Sequence, residues 1–300
     1  MKGELSVRRV TVPMLPAQEL KLPFDVRPNQ LNTTGELRVR FPDGEVRLGT
    51  VSGRDLFSPS LTVKTRLTIE QVQFGAFLKG LWSSPVDAVV NGELEDIVFD
   101  GRDVRTRGQL VADIFKGKII VQNPGVDSAF STAPNFRADC LIQDLNLADA
   151  TQDTSFGRIQ GVLGGHLQHL EIVGGQPQRF TLLLETIRTQ GVPQRINIEA
   201  VENIARIAGG QSPFVGLAGN FASFFREFTY DKIGIRAVLE NDLFKINGTI
   251  KEGGVEYLVK RGGIPGVDVV NLNPANQISF IDMVKRVRRV TESPSGPVVN

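Results

Sequence analysis

Between Lys232 and Lys260 most apolar residues fall on every second position of each run, and that period leaves the backbone little choice. A side chain repeats its direction every two residues in a strand and every 3.6 in a helix. Ile233, Ile235, Ala237 and Leu239 alternate with Lys232, Gly234, Arg236 and Glu240. Asn241-Asp242 supplies a turn, since both side chains tolerate left-handed backbone. Phe244, Ile246, Gly248 and Ile250 then share one face, and Lys245, Asn247 and Thr249 the other. Glu252-Gly253-Gly254 turns again, and Val255 to Lys260 forms a third strand. The segment therefore predicts an antiparallel meander with one apolar face.

The same pattern recurs upstream. Residues 4–12 read as a strand with Leu5 and Val7 on one face and a bulge at Arg8-Arg9. Pro13, Pro16, Pro23 and Pro28 predict irregular or edge structure from Pro13 to Gln30, because proline cannot donate to a ladder. Gly35 to Thr50 predicts a hairpin, with Leu37, Val39 and Phe41 opposing Val46 and Leu48 across Pro42-Asp43-Gly44. Leu61, Val63, Leu67 and Ile69 mark the next one-sided strand. From Val86 to Ile187 the pattern is almost all strand, including Phe180, Leu182 and Leu184 on one face. Gly-x-apolar openings recur at Gly92, Gly108, Gly117 and Gly157 with irregular spacing, which is a hairpin grammar and not a fixed-period solenoid.

A 3.6 period surfaces in few places. Phe74, Phe77, Leu78, Leu81 and Trp82 predict an amphipathic helix over 71–85, ended by Pro85. A short strand at 194–198 leads into a helix from about Ala200 to Ala208. Ser212-Pro213 caps a third helix, whose Phe214, Leu217, Phe221, Phe224, Phe225 and Phe228 give a very apolar face. A last helix runs from about Gln277 to Arg289, with Phe280, Met283, Val284 and Val287 on one face. Lys285, Arg286, Arg288 and Arg289 near its end suit the helix dipole. Thr291 to Asn300 reads as a flexible tail.

Chemistry is sparse. The chain is 41% hydrophobic and 22% charged, as folded chains are, and its net charge of +1 argues against a nucleic-acid partner. His166 and His169, the two histidines, lie three apart on a strand, where they point to opposite faces and cannot share a metal. Cys140 is the single cysteine and has no histidine near it in sequence, so packing is its expected role. Gly161-Val162-Leu163-Gly164-Gly165 lacks the Lys-Ser/Thr of a phosphate loop and reads as a strand with a close backbone contact. No Gly-x-Ser-x-Gly elbow occurs. The expectation is a protein without catalytic residues, metal or cofactor.

A sheet of many strands must cover its apolar face, with a second sheet or with helices. About four short helices cannot cover a dozen strands. The sheet either folds onto itself as a sandwich or curls and leaves an apolar trough.

Several stretches, in order, resemble the C-terminal region of AsmA-like proteins of the YdbH type, relatives of the repeating β-groove proteins that include TamB. They are Thr154 to Gly161, Asn197 to Ala205, Phe228 to Ile235, Asn241 to Ile250 and Glu256 to Gly262. The likeness covers roughly residues 140–290. It implies a mainly β protein: a long curved antiparallel sheet forming an open apolar groove, β-taco-like, with three or four short amphipathic helices. It implies carriage of phospholipid or a similar acyl lipid between the two membranes of a Gram-negative cell, in the periplasm, with an inner- or outer-membrane protein as possible partner. Such proteins begin with a membrane anchor. The opening Met1-Lys2-Gly3-Glu4-Leu5 has no apolar core. The resemblance thus implies the C-terminal part of a longer protein, attached through a segment outside this chain.

On that reading the chain divides into N-terminal groove strands (1–70), the helix at 71–85, central strands (86–198), a C-terminal helix-and-meander region (199–290) and the tail (291–300). The groove would be lined by Leu61, Val63, Leu67, Ile69, Phe180, Leu182, Leu184, Ile233, Ile235 and Leu239. The helix bearing Phe214 to Phe228 would cap or gate one end, and Lys285, Arg286, Arg288 and Arg289 would meet headgroups. The alternative is a non-catalytic envelope scaffold or outer-membrane assembly factor with a closed β-sandwich core.

Overall fold

The computed structural model describes residues 1–10, 18–75, 86–152, 154–208, 213–214, 226–275 and 277–284. Most of them form a large antiparallel open sheet. β1 (Lys2–Val10), β2 (Gln18–Arg27) and β3 (Gln30–Thr33) start it. The β1–β2 register slips between Val7 and Val10, which is the bulge expected at Arg8-Arg9. β2 corrects the expectation of irregular structure over Pro13 to Gln30, because it pairs with both β1 and β3. Pro23 is tolerated because its carbonyl, and hence its missing donor, points past the end of β3, where Thr34 N–H bonds to it at 2.9 Å.

β4 (Leu37–Phe41) and β5 (Gly44–Leu48) make the hairpin in the register expected, Leu37 opposite Leu48 and Val39 opposite Val46. β6 (Ser52–Arg54) and β5 share one neighbour, β7 (Thr62–Gln73), at its two ends. β8 (Ala88–Phe99), β9 (Val104–Ile114), β10 (Gly117–Asp127) and β11 (Asn135–Asn146) continue the meander. A short helix, α1 (Leu147–Thr151), interrupts the all-strand reading of this region. Asn146 caps it by accepting from Asp149 N–H at 3.1 Å.

β12 (Ile159–Gln160), β13 (Val162–Val173), β14 (Gln176–Ile187) and β15 (Arg195–Asn197) follow. After β15 comes α2 (Ile198–Ile207), then β16 (Glu227–Glu240), β17 (Leu243–Gly248), β18 (Ile250–Glu252), β19 (Val255–Arg261), β20 (Val269–Val270) and β21 (Ile278–Ser279). β13 pairs with β11 and β14, and β14 with β16, so the main sheet runs on to β17 and β21.

β16 belongs to two sheets. Its second half lies between β14 and β17. Its first half pairs instead with β15 and β19. α2 packs onto this second layer through Ala200, Val201, Ile204 and Ala205, all 3% exposed or less. Ile196, Leu239, Leu258 and Val259 at 0% complete a closed core. Asn197 holds the entry to α2, accepting from Ala200 N–H at 2.9 Å and Arg158 N–H at 3.0 Å.

Three helical expectations are corrected at their edges. β7 continues through Gln73, so a helix cannot begin at 71; residues 76–85 lie outside the described residues. Phe228 sits in β16 opposite Ile196 and Phe214 in a turn, while Leu217, Phe221, Phe224 and Phe225 lie outside the described residues. Ile278 and Ser279 pair with Phe244 and Leu243, so the last helix starts at 280. Ser279 Oγ caps it, accepting from Asp282 N–H at 3.2 Å. Lys285, Arg286, Arg288, Arg289 and the tail lie outside the described residues.

Candidate functional site

Directly opposed residues of antiparallel strands share a face. Following the pairs from strand to strand therefore maps the sheet. Val39 faces Val46, Val46 faces Ile69, Ile69 faces Gly92 and Gly92 faces Leu110. Leu110 faces Val121, Val121 faces Cys140 and Cys140 faces Leu167. Leu167 faces Leu182, Leu182 faces Ala237 and Ala237 faces Ile246. This row crosses eleven strands without meeting a charged residue or a carboxamide. At about 4.8 Å per strand it is ~48 Å long. A second row runs beside it through Val90, Ala112, Ile119, Ile142, Gly165, Leu184 and Ile235.

The opposite face differs in chemistry. Arg38, Arg47, Thr68, Glu93, Gln109, Gln122 and Asp139 follow one another in register. Beyond the β13 bulge the line resumes as Gln168, Thr181, Val238 and Lys245.

Four strands keep these rows aligned by carrying one extra residue each. Gln71, Asn123, Asp144 and His169 take positive φ, between 42° and 54°, at breaks in the β7, β10, β11 and β13 registers. Neighbouring side chains satisfy backbone donors there. Asn91 Oδ1 accepts from Gln71 N–H at 2.8 Å, Asp139 Oδ1 from His169 N–H at 2.7 Å, and Asn123 Oδ1 from Gly108 N–H at 3.2 Å. Bulges raise the local twist and bend the strand, which curves a sheet.

Burial changes along the row. Val39, Val46, Ile69, Leu110, Val121, Cys140, Leu167 and Leu182 are half-buried. Ala237 at 3% and Ile246 at 9% lie within the closed core. Of the expected lining residues, Leu61, Val63, Leu67, Ile69, Phe180, Leu182, Leu184 and Ile235 are half-buried. Ile233 at 5% and Leu239 at 0% belong to the core and present no surface. The structure brings Phe180, Leu182 and Leu184 opposite Leu239, Ala237 and Ile235. Sequence reading did not single out Leu110, Val121 or Leu167; the signal available was the alternation of their own strands. At the closed end three rings meet, Phe180, Phe244 and Phe280, with centroids 5.5–6.3 Å apart. Phe214 stacks on Phe228 at 5.3 Å.

Burial, aided by the Asp139 charge, pushes the Cys140 thiol up, away from the reactive thiolate. Burial opposes ionisation of Glu256, yet hydrogen bonds from Asn247, Asn271 and Gly248 N–H outweigh it and hold the carboxyl below its usual range. Burial pushes the Tyr230 phenol strongly up, and its hydroxyl donates to the Gln160 carbonyl at 2.6 Å. Among the described residues no three His, Cys, Asp or Glu side chains group to hold a metal, and no helix is long and apolar enough to cross a membrane.

No family model, curated protein or solved structure matches the chain.

Proposed function

We propose that this protein carries phospholipid, or another acyl lipid, along the face that bears the Val39-to-Ile246 row, between the inner and outer membranes of a Gram-negative envelope. The observation behind this reading is that row: its half-buried part, from Val39 to Leu182, crosses nine strands and about 38 Å at about 4.8 Å per strand, with mostly polar side chains on the reverse face. An acyl chain of about 16 carbons loses roughly 13 kcal/mol on entering water, at ~0.8 kcal/mol per methylene. A continuous apolar track removes most of that barrier. It need not bind tightly, because similar free energies in track and bilayer favour passage over trapping. The headgroup stays in water at the open side.

The closed core, with its Phe180, Phe244 and Phe280 cluster, would end the track. A sandwich scaffold would bury its inner face throughout; this face carries one small buried cluster, Ala88, Ile114 and Leu145, and the half-buried Val39, Val46, Ile69, Leu110, Val121 and Cys140 favour the conduit. The likeness to AsmA-like proteins of the YdbH type points the same way and suggests the periplasm.

The test is lipid extraction from the purified protein followed by mass spectrometry, with Leu110→Asp and Leu182→Asp beside the unaltered chain. Co-purifying acyl lipid, lost in folded variants, is the expected result. Undiminished lipid carriage by both folded variants would overturn the reading.

A further inference from the structure

The reverse face of the C-terminal unit holds an open depression of about 570 Å³ beneath the loop at Pro274 and Ala275. Arg236 of β16, Lys245 of β17 and Lys251 of β18 line it, with Asn247, Thr249 and Glu256. Arg236 lies opposite Asn247 in register, and Lys245 is two residues from Asn247 on the same strand, so these three share a face. Most cations of this sheet are tied to a carboxylate, as Lys232 is to Glu185 at 2.9 Å and Lys260 to Glu252 at 2.5 Å. Among the described residues Arg236, Lys245 and Lys251 make no ion pair.

The carboxylates beside them are already engaged. Glu185 Oε1 accepts from Thr249 Oγ1 at 2.5 Å as well as from Lys232. Glu256 Oε1 accepts from Asn271 Nδ2 at 2.7 Å, Gly248 N–H at 2.8 Å and Asn247 Nδ2 at 3.0 Å. Those bonds fix the wall of the depression and leave it with three positive side chains against one negative. Three strands thus hold a net positive charge at one concave place.

We propose that this depression binds a phosphate group, held by Arg236, Lys245 and Lys251. A guanidinium grips two phosphate oxygens at once, and ammonium groups add compact charge. The volume admits a substituent on the phosphate, so a free phosphate compound and an acidic lipid headgroup share the required chemistry. The site faces away from the apolar row and does not depend on lipid carriage.

The experiment has two arms on the full chain. The first titrates inorganic phosphate against the protein by calorimetry, at ionic strength held constant with chloride. The second measures flotation with phosphatidylglycerol vesicles against phosphatidylcholine vesicles. Each is repeated with the triple variant Arg236→Gln, Lys245→Gln, Lys251→Gln, and with Lys245→Gln alone should the triple variant not fold. We expect a loss of about tenfold or more in the arm that binds, since charge-assisted contacts are the strong ones. Loss in the phosphate arm alone assigns a free ligand; loss in the phosphatidylglycerol arm assigns a headgroup. No binding in either arm, or equal binding by a folded variant, overturns the site. Leu110→Asp keeps this binding even if it abolishes lipid carriage, which separates the two proposals.

Discussion

The backbone N–H of His169 donates to Asp139 Oδ1 at 2.7 Å, across the β11–β13 pair and at a residue with φ of 54°. The extra residue in β13 would otherwise leave this donor without a strand partner. Asp139→Ala should therefore cost about 0.5–1 kcal/mol, the low end for a hydrogen bond because water reaches the site. Urea unfolding measures it. Asp139→Asn, which keeps the acceptor oxygen, should recover most of the loss.

Tyr230 and Gly161 form a tighter coupling. A methyl group on Gly161 would sit 2.1 Å from the Tyr230 hydroxyl oxygen, and the backbone there has φ of 148°. Gly161→Ala should cost about 2–4 kcal/mol, from overpacking and backbone strain together. Tyr230→Phe should cost about 1–2 kcal/mol, since the Gln160 carbonyl loses its donor in a buried setting. The double variant should be less unstable than the sum, because removing the hydroxyl makes room. Equal additivity in a double-mutant cycle would show that the contact is relaxed.

Glu256 ties β17, β19 and Asn271 together through one oxygen. Its folded carboxyl is held below the usual carboxylate range despite burial, by those hydrogen bonds. A depressed carboxyl stabilises the fold fully above the unfolded value and loses that contribution as pH falls through the folded one. Glu256→Gln should hence be destabilising at pH 7. The gap between the two proteins should close as pH drops from about 4.5 downward. Thermal melts between pH 7 and pH 3 read this directly; a gap constant with pH would mean the charge contributes nothing.

The strand meander was legible because each strand carries its own period. Ile233 to Leu239 and Leu37 to Val39 needed no distant information. The bulges were not legible. Gln71 puts Ile69 and Val72 on one face at a spacing of three, and Asp144 does the same for Ile142 and Leu145. That spacing imitates a helix, and the expected start of one at 71 falls there. Phe228 was drawn into a helix by its phenylalanine neighbours, although pairing with Ile196 decides its conformation. The row was legible only strand by strand. Its continuity depends on register, which no single strand encodes. The division between half-buried Leu182 and fully buried Leu239 depends on α2 and β19 closing over one end, a tertiary fact that alternation does not carry.

That division gives the last prediction. Leu110 and Leu239 have the same chemistry and both lie on the row-bearing face, but Leu110 is half-buried and Leu239 is 0% exposed. An aspartate at 110 keeps water beside its carboxylate, so the fold should lose only about 1–2 kcal/mol, the common range for a single substitution. An aspartate at 239, a position 0% exposed and opposed by Phe180 and Phe244, is shut off from water. It must either stay protonated or force the core open, at a cost of several kcal/mol. Leu239→Asp should therefore unfold the C-terminal unit at neutral pH and regain structure at acid pH, where the carboxyl is neutral. Leu110→Asp should stay folded across the same range. Circular dichroism and urea melts of the two variants at pH 7 and pH 4 distinguish these outcomes. If Leu110→Asp collapsed as completely as Leu239→Asp, the β4 to β11 face would be an ordinary closed core, and the lipid track would lose its surface.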